Sequence, residues 1–353
     1  MKKIVLTGGG TAGHVTPNIA LLPSLREAGF EVSYIGSKNG IEKDLIEKIG
    51  IPYYGISSGK LRRYFDLKNF TDPFRVLKGF SEARKLLKTI RPDAVFSKGG
   101  FVSVPVVRAA AALRIPVITH ESDMTPGLAN RLSIPAAQKV CCNFPETLAN
   151  LPEGKAVLTG CPIREELYRG SREKALAFTG LSGQKPVLMV TGGSLGAKAV
   201  NEAVRAALPQ LLPRFDIVHL CGTGKADSTH TEEGYLQYEY ISEEMADLFA
   251  LADIVISRAG ANAICEISAL AIPNILIPLP LGASRGDQIL NARSFEKQGF
   301  SFVLEEENAS PDALCAAVTE VYENRDRYIT AMKASPQKNA VTIITDLLVK
   351  AAE

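Results

Sequence analysis

Residues Ile4–His14 read IVLTGGGTAGH, and the same grammar returns at Val187–Ala197 as VLMVTGGSLGA. Each copy runs a short apolar segment into a glycine-rich turn and then a helical period. That is the opening of a parallel β–α unit, in which glycines let backbone N–H groups approach a phosphate. Around both copies, runs rich in Val and Ile alternate with helical segments. Strands are expected at Lys3–Thr7, Glu31–Ile35, Ala94–Ser97 and Pro116–Thr119. A second set is expected at Pro186–Thr191, Asp216–Leu220, Ile254–Ser257 and Asn274–Ile277. A helix is expected between the first two, at Pro17–Ala28. The fold class is therefore α/β: two doubly wound, Rossmann-like parallel-sheet domains in tandem, with the seam near Gly160-Cys161-Pro162. Two such sheets facing each other would place both turns on one interdomain cleft. A last helical period, Asn339 to Ala352, fits either domain.

The chain has 353 residues, room for two cores, with 46% hydrophobic and 22% charged residues, which excludes disordered and fibrous classes. Net charge is only +2, so nothing global points to nucleic acid. Its distribution is uneven: Lys60–Arg91 holds ten bases and three acids, leaving net −5 for the rest. Within this region GKLRRYFDLKNFTDPFRVLKGF, Gly59 to Phe80, interleaves aromatic and basic side chains, which suits an anionic membrane surface. Leu61, Arg62, Arg63, Tyr64 and Phe65 are the better membrane candidates. The later part, with Leu77, Phe80 and Leu87, reads as a helix docked on its own sheet. Six cysteines make no C-x-x-C pair, and Met1-Lys2-Lys3 leads straight into a strand, so a reducing cytosol is expected. Four scattered histidines, with no cysteine cluster, supply no metal set.

Gly8, Gly9, Gly10 and Gly13 satisfy the letter of the dinucleotide fingerprint G-x-G-x-x-G. An NAD site also wants an acid at the end of the second strand, and Tyr34-Ile35-Gly36-Ser37-Lys38 has none. A ligand-free tight turn is the bland alternative. His14 falls in the first helical turn, where the dipole favours the neutral imidazole, a form that accepts a proton. A histidine that only packs there is the other reading. In TGGSLGA, Ser194 adds a hydroxyl beside the turn. In SRAGANAICEISALAIP, Ser257 to Pro273, Glu266 either accepts the two hydroxyls of a ribose or lies on the surface of an amphipathic helix. In GASRGDQILNA, Gly282 to Ala292, Asp287 either caps the helix or joins Gln288 on a sugar. His120 and Glu121, in THESDMTPGLANR, fall at a strand's carboxyl end, as does GGFVSVP, Gly99 to Pro105.

Taken in order, GGGTAGH, GGFVSVP, HESDMTPGLAN, GCPIR, TGGSLGA, SRAGANAICE and GDQILNA resemble the MurG family of bacterial peptidoglycan glycosyltransferases from end to end. The resemblance implies a GT-B fold. Residues 1–160 would form the acceptor and membrane-binding domain, with the C-terminal helix 337–353 packing back on it, and residues 161–336 the UDP-N-acetylglucosamine (UDP-GlcNAc) domain. It implies an inverting, metal-independent hexosyltransferase with no cofactor. The 4-hydroxyl of MurNAc in undecaprenyl-pyrophosphoryl-MurNAc-pentapeptide (lipid I) attacks the anomeric carbon, giving a β-1,4 linkage, UDP and lipid II. The enzyme would sit on the cytoplasmic face of the bacterial membrane, with other cell-wall synthesis and division proteins as further partners.

By the same resemblance Gly193, Ser194 and Gly196 would face the donor diphosphate, and Thr11, Ala12 and Gly13 would approach it from the other lobe. Arg164 would also reach the donor, and Ile241 would contact uracil. Glu266, with Ala261 and Asn262 beside it, would take the ribose, and Asp287 and Gln288 the GlcNAc hydroxyls. Gly99, Gly100, Phe101, His120, Asp123 and Asn130 would lie on the acceptor side. His14 would be the general base, with Glu121 as the second candidate. Three positions depart from the family pattern. Ala12 replaces a usual glycine and narrows that turn's backbone options. Asp123 stands where many members have Asn, and Asp287 precedes Gln288 where others pair two glutamines.

Overall fold

The computed structural model describes residues 1–59, 72–193, 196–282, 286–335 and 339–353. The chain divides into two compact units, Met1–Arg164 with Gln337–Glu353, and Glu165–Pro336. Each is built on one parallel sheet.

In unit 1 the strands are β1 (Lys2–Thr7), β2 (Phe30–Ser37), β3 (Tyr53–Ile56), β4 (Ala94–Ser97), β5 (Val117–Glu121), β6 (Lys139–Cys142) and β7 (Ala156–Leu158). Their spatial order is β3-β2-β1-β4-β5-β6-β7, all parallel. The order runs outward in both directions from β1, which makes the β1/β4 boundary the topological switch point. Its helices are α1 (Thr16–Ala20), α2 (Leu22–Glu27), α3 (Ile41–Lys48), α4 (Asp72–Ile90), α5 (Ser103–Ala112) and α6 (Leu128–Ser133).

The helix expected over Pro17–Ala28 is two short ones, because Pro23 lies in the first turn of α2 and has no N–H to donate back across the break. β3, β6 and β7 were not expected. They are three or four residues long and lie toward the two edges of the sheet.

Apolar side chains from β1 and β2 are buried on both faces. Ile4 and Leu6 join Leu21, Leu25, Phe30 and Ile46 on one side, while Val5 and Ile35 join Ala83, Leu87, Val106 and Val107 on the other. The first cluster also takes Ile344 and Leu348. These belong to the last helix of the chain (Ala340–Ala351), which packs on α2, β4 and β5.

Unit 2 contains α7 (Arg172–Thr179), β8 (Val187–Thr191), α8 (Lys198–Leu211), β9 (Asp216–Leu220), β10 (Tyr235–Tyr238), α9 (Met245–Leu251), β11 (Ile254–Ser257), α10 (Ala261–Ala269), β12 (Asn274–Leu276), α11 (Asp287–Lys297), β13 (Phe302–Val303), α12 (Pro311–Glu323) and α13 (Arg325–Lys333). The last helix of the chain is α14. The sheet order is β10-β9-β8-β11-β12-β13, again parallel and again reversing beside its first strand.

One polar network lies within this core. His219 on β9 is wholly buried, with Nδ1 2.8 Å from the Tyr235 hydroxyl and Nε2 3.0 Å from Asn201 Oδ1. Since that oxygen only accepts, Nε2 carries the ring proton and Nδ1 accepts from tyrosine.

Candidate active site

In unit 1 the carboxyl ends of β1, β4 and β5 carry three loops. The Gly8–His14 turn leaves β1 at the switch point, where open parallel sheets collect ligands. It is fixed from beneath. The Tyr34 hydroxyl donates to the Gly8 carbonyl at 2.8 Å, and the Asn18 amide donates to the Thr7 carbonyl at 3.3 Å and to the Tyr34 hydroxyl at 3.1 Å. The Gly10 N–H donates to Glu42 Oε2 at 3.2 Å. Glu42 is wholly buried at the start of α3 and also accepts the Ser37 N–H at 2.9 Å and its hydroxyl at 2.5 Å.

Thr11, Ala12 and Gly13 lead into a short 3-10 turn, Ala12–His14. Residue 12 is not among the positions with positive φ, so its methyl group adds no backbone strain. In this conformation alanine fits as well as glycine.

His14 is half-buried, with Nδ1 3.0 Å from the Gly9 carbonyl and 3.2 Å from the Thr11 hydroxyl. A carbonyl only accepts, so Nδ1 carries the proton and Nε2 is the acceptor nitrogen. Burial pushes the ring's pKa down to about 4, helped by the positive charge of Lys98 and opposed by the Gly9 bond and by Glu42. The imidazole is therefore neutral near pH 7.

The second loop follows β4. Lys98 is 1% exposed, and Gly99 and Gly100 take φ of +94° and +85°. A side chain at Gly100 would run into the carbonyl oxygen of Gly9, so the loops after β1 and β4 touch backbone to backbone. Phe101 is half-buried, and the Ser103 hydroxyl donates to the Gly100 carbonyl at 2.7 Å.

The third loop follows β5, which runs two residues beyond its expected end and draws His120 and Glu121 into the strand. Both are buried. His120 Nε2–H donates to the Gly160 carbonyl at 2.9 Å, leaving Nδ1 to accept from Lys98 Nζ at 3.0 Å. Glu121 accepts the Asp123 N–H at 3.0 Å on one oxygen. Its other oxygen accepts the Gly127 N–H at 3.1 Å and the Asn130 amide at 2.8 Å. Burial pushes its carboxyl up, with Asp123 adding to the push, while the amide and N–H donors oppose it. The Asn130 amide also donates to the His120 carbonyl at 3.2 Å, so Asn130 ties the end of β5 to the loop that Glu121 holds.

In unit 2 the donor candidates gather at one sheet's carboxyl end. Gly193 and Gly196 follow β8, and a Cβ at Gly196 would strike the Cys221 carbonyl after β9. Ile241 follows β10 and is half-buried. Ala261, Asn262 and Glu266 lie on α10, which opens after β11. Gln288 lies on α11, and its Oε1 accepts the Leu279 N–H at 3.1 Å, tying the helix to the loop after β12. Gly286, at φ +82°, is the residue that caps α11, and Asp287 is the first residue inside it. Beneath them Arg258 is 8% exposed, donates to the carbonyls of Ile277 at 3.1 Å and Pro278 at 3.3 Å, and pairs with Glu306. Arg164 is the last residue of unit 1's first segment. Ser194 and the membrane candidates Leu61, Arg62, Arg63, Tyr64 and Phe65 lie outside the described residues.

Residues 4–142 match the N-terminal domain of glycosyltransferase family 28, and residues 187–347 match its C-terminal domain. The chain belongs to glycosyltransferase family 28. A family 28 relative from Lachnoclostridium phytofermentans is 65% identical over 349 residues, covering 99% of this chain and 98% of its own length. A second, from Clostridium tetani, is 58% identical over 350 residues, covering 99% and 98%. Both are named UDP-N-acetylglucosamine–N-acetylmuramyl-(pentapeptide) pyrophosphoryl-undecaprenol N-acetylglucosamine transferase. The crystal structure of Acinetobacter baumannii MurG superposes with a TM-score of 0.77 at 29% identity, covering 99% of this chain and 100% of that one. The fold class is GT-B, with two Rossmann-like parallel-sheet units.

Two residues of this family 28 chain that flank the Gly8–His14 turn carry no signal in the sequence. Glu42 looks like an ordinary acid in a helix's first turn, and Lys98, followed by two glycines, looks like a surface cation. Only the fold turns both inward.

α4 also departs from expectation. Ala83 and Leu87 dock on the sheet, but Leu77 is 65% exposed and Phe74 is 74% exposed. Both stand among exposed Arg75 and Lys78. The helix begins to dock about one turn later than the sequence implies. Among the described residues, no helix is long and apolar enough to cross a membrane, and no group of three or more His, Cys, Asp or Glu is placed to hold a metal ion.

Proposed function

We propose that this chain transfers N-acetylglucosamine from UDP-GlcNAc to the MurNAc 4-hydroxyl of undecaprenyl-pyrophosphoryl-MurNAc-pentapeptide, forming lipid II with inversion. The observation that carries this reading is 65% identity along nearly the whole chain to an enzyme of that name. The local geometry fits it. Two phosphate-type glycine turns stand at the carboxyl ends of two parallel sheets, and one is followed by a neutral histidine.

His14 Nε2 takes the proton of the attacking hydroxyl, and the Nδ1–H bond to Gly9 holds the required tautomer. Glu121 acts as the brace of its loop, since both of its oxygens are engaged by N–H donors. Negative charge that grows on the leaving diphosphate is met by the turn around Gly193 and Gly196, by N–H groups at the start of α8, and by Arg164. On this reading the chemistry uses no metal. Glu266 takes the ribose hydroxyls, Ile241 the uracil, and Gln288 the sugar, its amide nitrogen still able to donate. Gly99, Gly100 and Phe101 line the acceptor side.

The enzyme works at the cytoplasmic face of the membrane, where Phe74 and Leu77 on α4 enter the lipid interface and the basic cluster meets anionic headgroups. The test is transfer of labelled GlcNAc to lipid I against diacylglycerol as the alternative acceptor. Labelled lipid II is expected, and label only in the diacylglycerol would sink the assignment.

A further inference from the structure

Two charged side chains are buried on either side of the Gly8–His14 turn, and among the described residues neither touches a counter-ion. Lys98, 1% exposed, has its Nζ 3.0 Å from His120 Nδ1 and donates to the Ser122 hydroxyl. Both partners are neutral, because His120 already gives its ring proton to the Gly160 carbonyl. Glu42 is wholly buried and accepts from the Gly10 N–H, the Ser37 N–H and the Ser37 hydroxyl, also all neutral. Among the described residues neither group is in a salt bridge. Burial of an ion without a counter-ion is unfavourable, and such sites concentrate where the field acts on chemistry.

The turn lies directly between the two. A Cβ at Gly8 would come within 3.3 Å of Lys98 Cβ and 2.5 Å of the His14 carbonyl oxygen. A Cβ at Gly9 would meet the Glu42 carboxylate at 2.5 Å. Glu42 comes from the β2–α3 side and Lys98 from the end of β4, so the fields of opposite sign converge on one ring.

We propose that Lys98 and Glu42 are opposed positioning residues that tune the proton affinity of the buried His14 from opposite sides of its turn. Lys98 disfavours imidazolium and also pins His120 and Ser122, the two neighbours of Glu121. Glu42 favours imidazolium and holds the Gly10 end of the turn. Beside the larger effect of burial, and among the described residues, the charge of Lys98 pushes the His14 pKa down and that of Glu42 pushes it up. The mechanistic value of this arrangement rests on His14 being the base. The arrangement itself does not.

The experiment is a ring-NMR titration of His14 in the full-length protein, alongside the pH profile of kcat/KM, for the wild type, Lys98→Met and Glu42→Gln. The unfolding transition of unit 1 in a denaturant series, where all three residues lie, serves as the check that each variant is folded. Lys98→Met is expected to raise the His14 midpoint by ~1 pH unit or more, and Glu42→Gln to lower it. Lys98→Arg, which restores the charge, should return the midpoint toward wild type. If the Met variant lacks that transition, Lys98→Gln gives the same reading with a donor kept toward His120. A midpoint that stays at the wild-type value in a folded Lys98→Met or Lys98→Gln protein would overturn the proposal. A midpoint that moves while the low-pH limb of kcat/KM stays put supports it and removes His14 from the role of base.

Discussion

The imidazole of His14 donates through Nδ1 to the carbonyl of Gly9, five residues earlier in the same turn and 3.0 Å away. The turn therefore chooses the tautomer of its own last residue, and the free lone pair is always on Nε2. His14→Ala should lower kcat by ~10²–10⁴ while leaving UDP affinity near wild type. His14→Gln should do no better, since its amide cannot take a proton. Single-turnover transfer and UDP titration measure the two quantities separately, and unimpaired turnover in His14→Ala excludes it as the base.

Acid should destabilise unit 2 through His219. Its pKa is pushed down to about 3 by burial, with Arg205 adding to the effect, against an ordinary value of 6.5. Below pH 6.5 the unfolded chain binds a proton there that the folded chain refuses, so stability is full above that pH and falls as pH drops toward 3. Between pH 7 and pH 5 this one ring should account for about 2 kcal/mol. Denaturant unfolding followed by loss of UDP binding should show the pH dependence shrinking by that amount in His219→Gln.

Gly100→Ala should be poorly tolerated. The residue has φ +85°, which by itself costs an L side chain roughly 1–3 kcal/mol, and its Cβ points into the Gly9 carbonyl. Gly127→Ala is the control, with φ −66° and no atom within 4 Å of the added methyl group. Thermal melts should separate the two clearly, and transfer activity should fall with the first only.

Leu348→Ala removes a fully buried side chain from the cluster that α14 shares with Leu21 and Leu25. A loss of about 2–5 kcal/mol is expected. It should appear as early unfolding of unit 1, with UDP binding by unit 2 kept, when both are followed in one denaturant series.

Replacing Phe74 and Leu77 together by Ser should weaken binding to anionic vesicles without changing thermal stability, since both side chains are already exposed. Added salt should weaken the remaining binding further, because the basic residues of the same helix still act through screened charge. Binding unaffected by the double change would place the contact elsewhere.

Much of the fold was legible because its decisive signals are local. An apolar run followed by Gly-rich residues announces a strand, a turn and a helix within a dozen positions. The strands that escaped, β3, β6, β7, β10 and β13, are two to four residues long and owe their pairing to neighbours far away in sequence. Glu121 shows the same limit within the site. In the sequence it is a carboxylate at a strand's end and the second candidate for the base, and only the placement of Asp123, Gly127 and Asn130 around it reveals a brace. Lys98 was not legible because its partner Ser122 is 24 positions away, on another loop.

α14 has a consequence for the order in which the protein can be made. Its residues leave the ribosome after all of unit 2, yet Ile344 and Leu348 complete the core of unit 1. Until α14 has been made, the first half of the nascent chain holds an open apolar slot beside Leu21 and Leu25. Unit 1 is thus started before unit 2 and finished after it, and a stop codon ahead of α14 would damage the core built around β1 and β2.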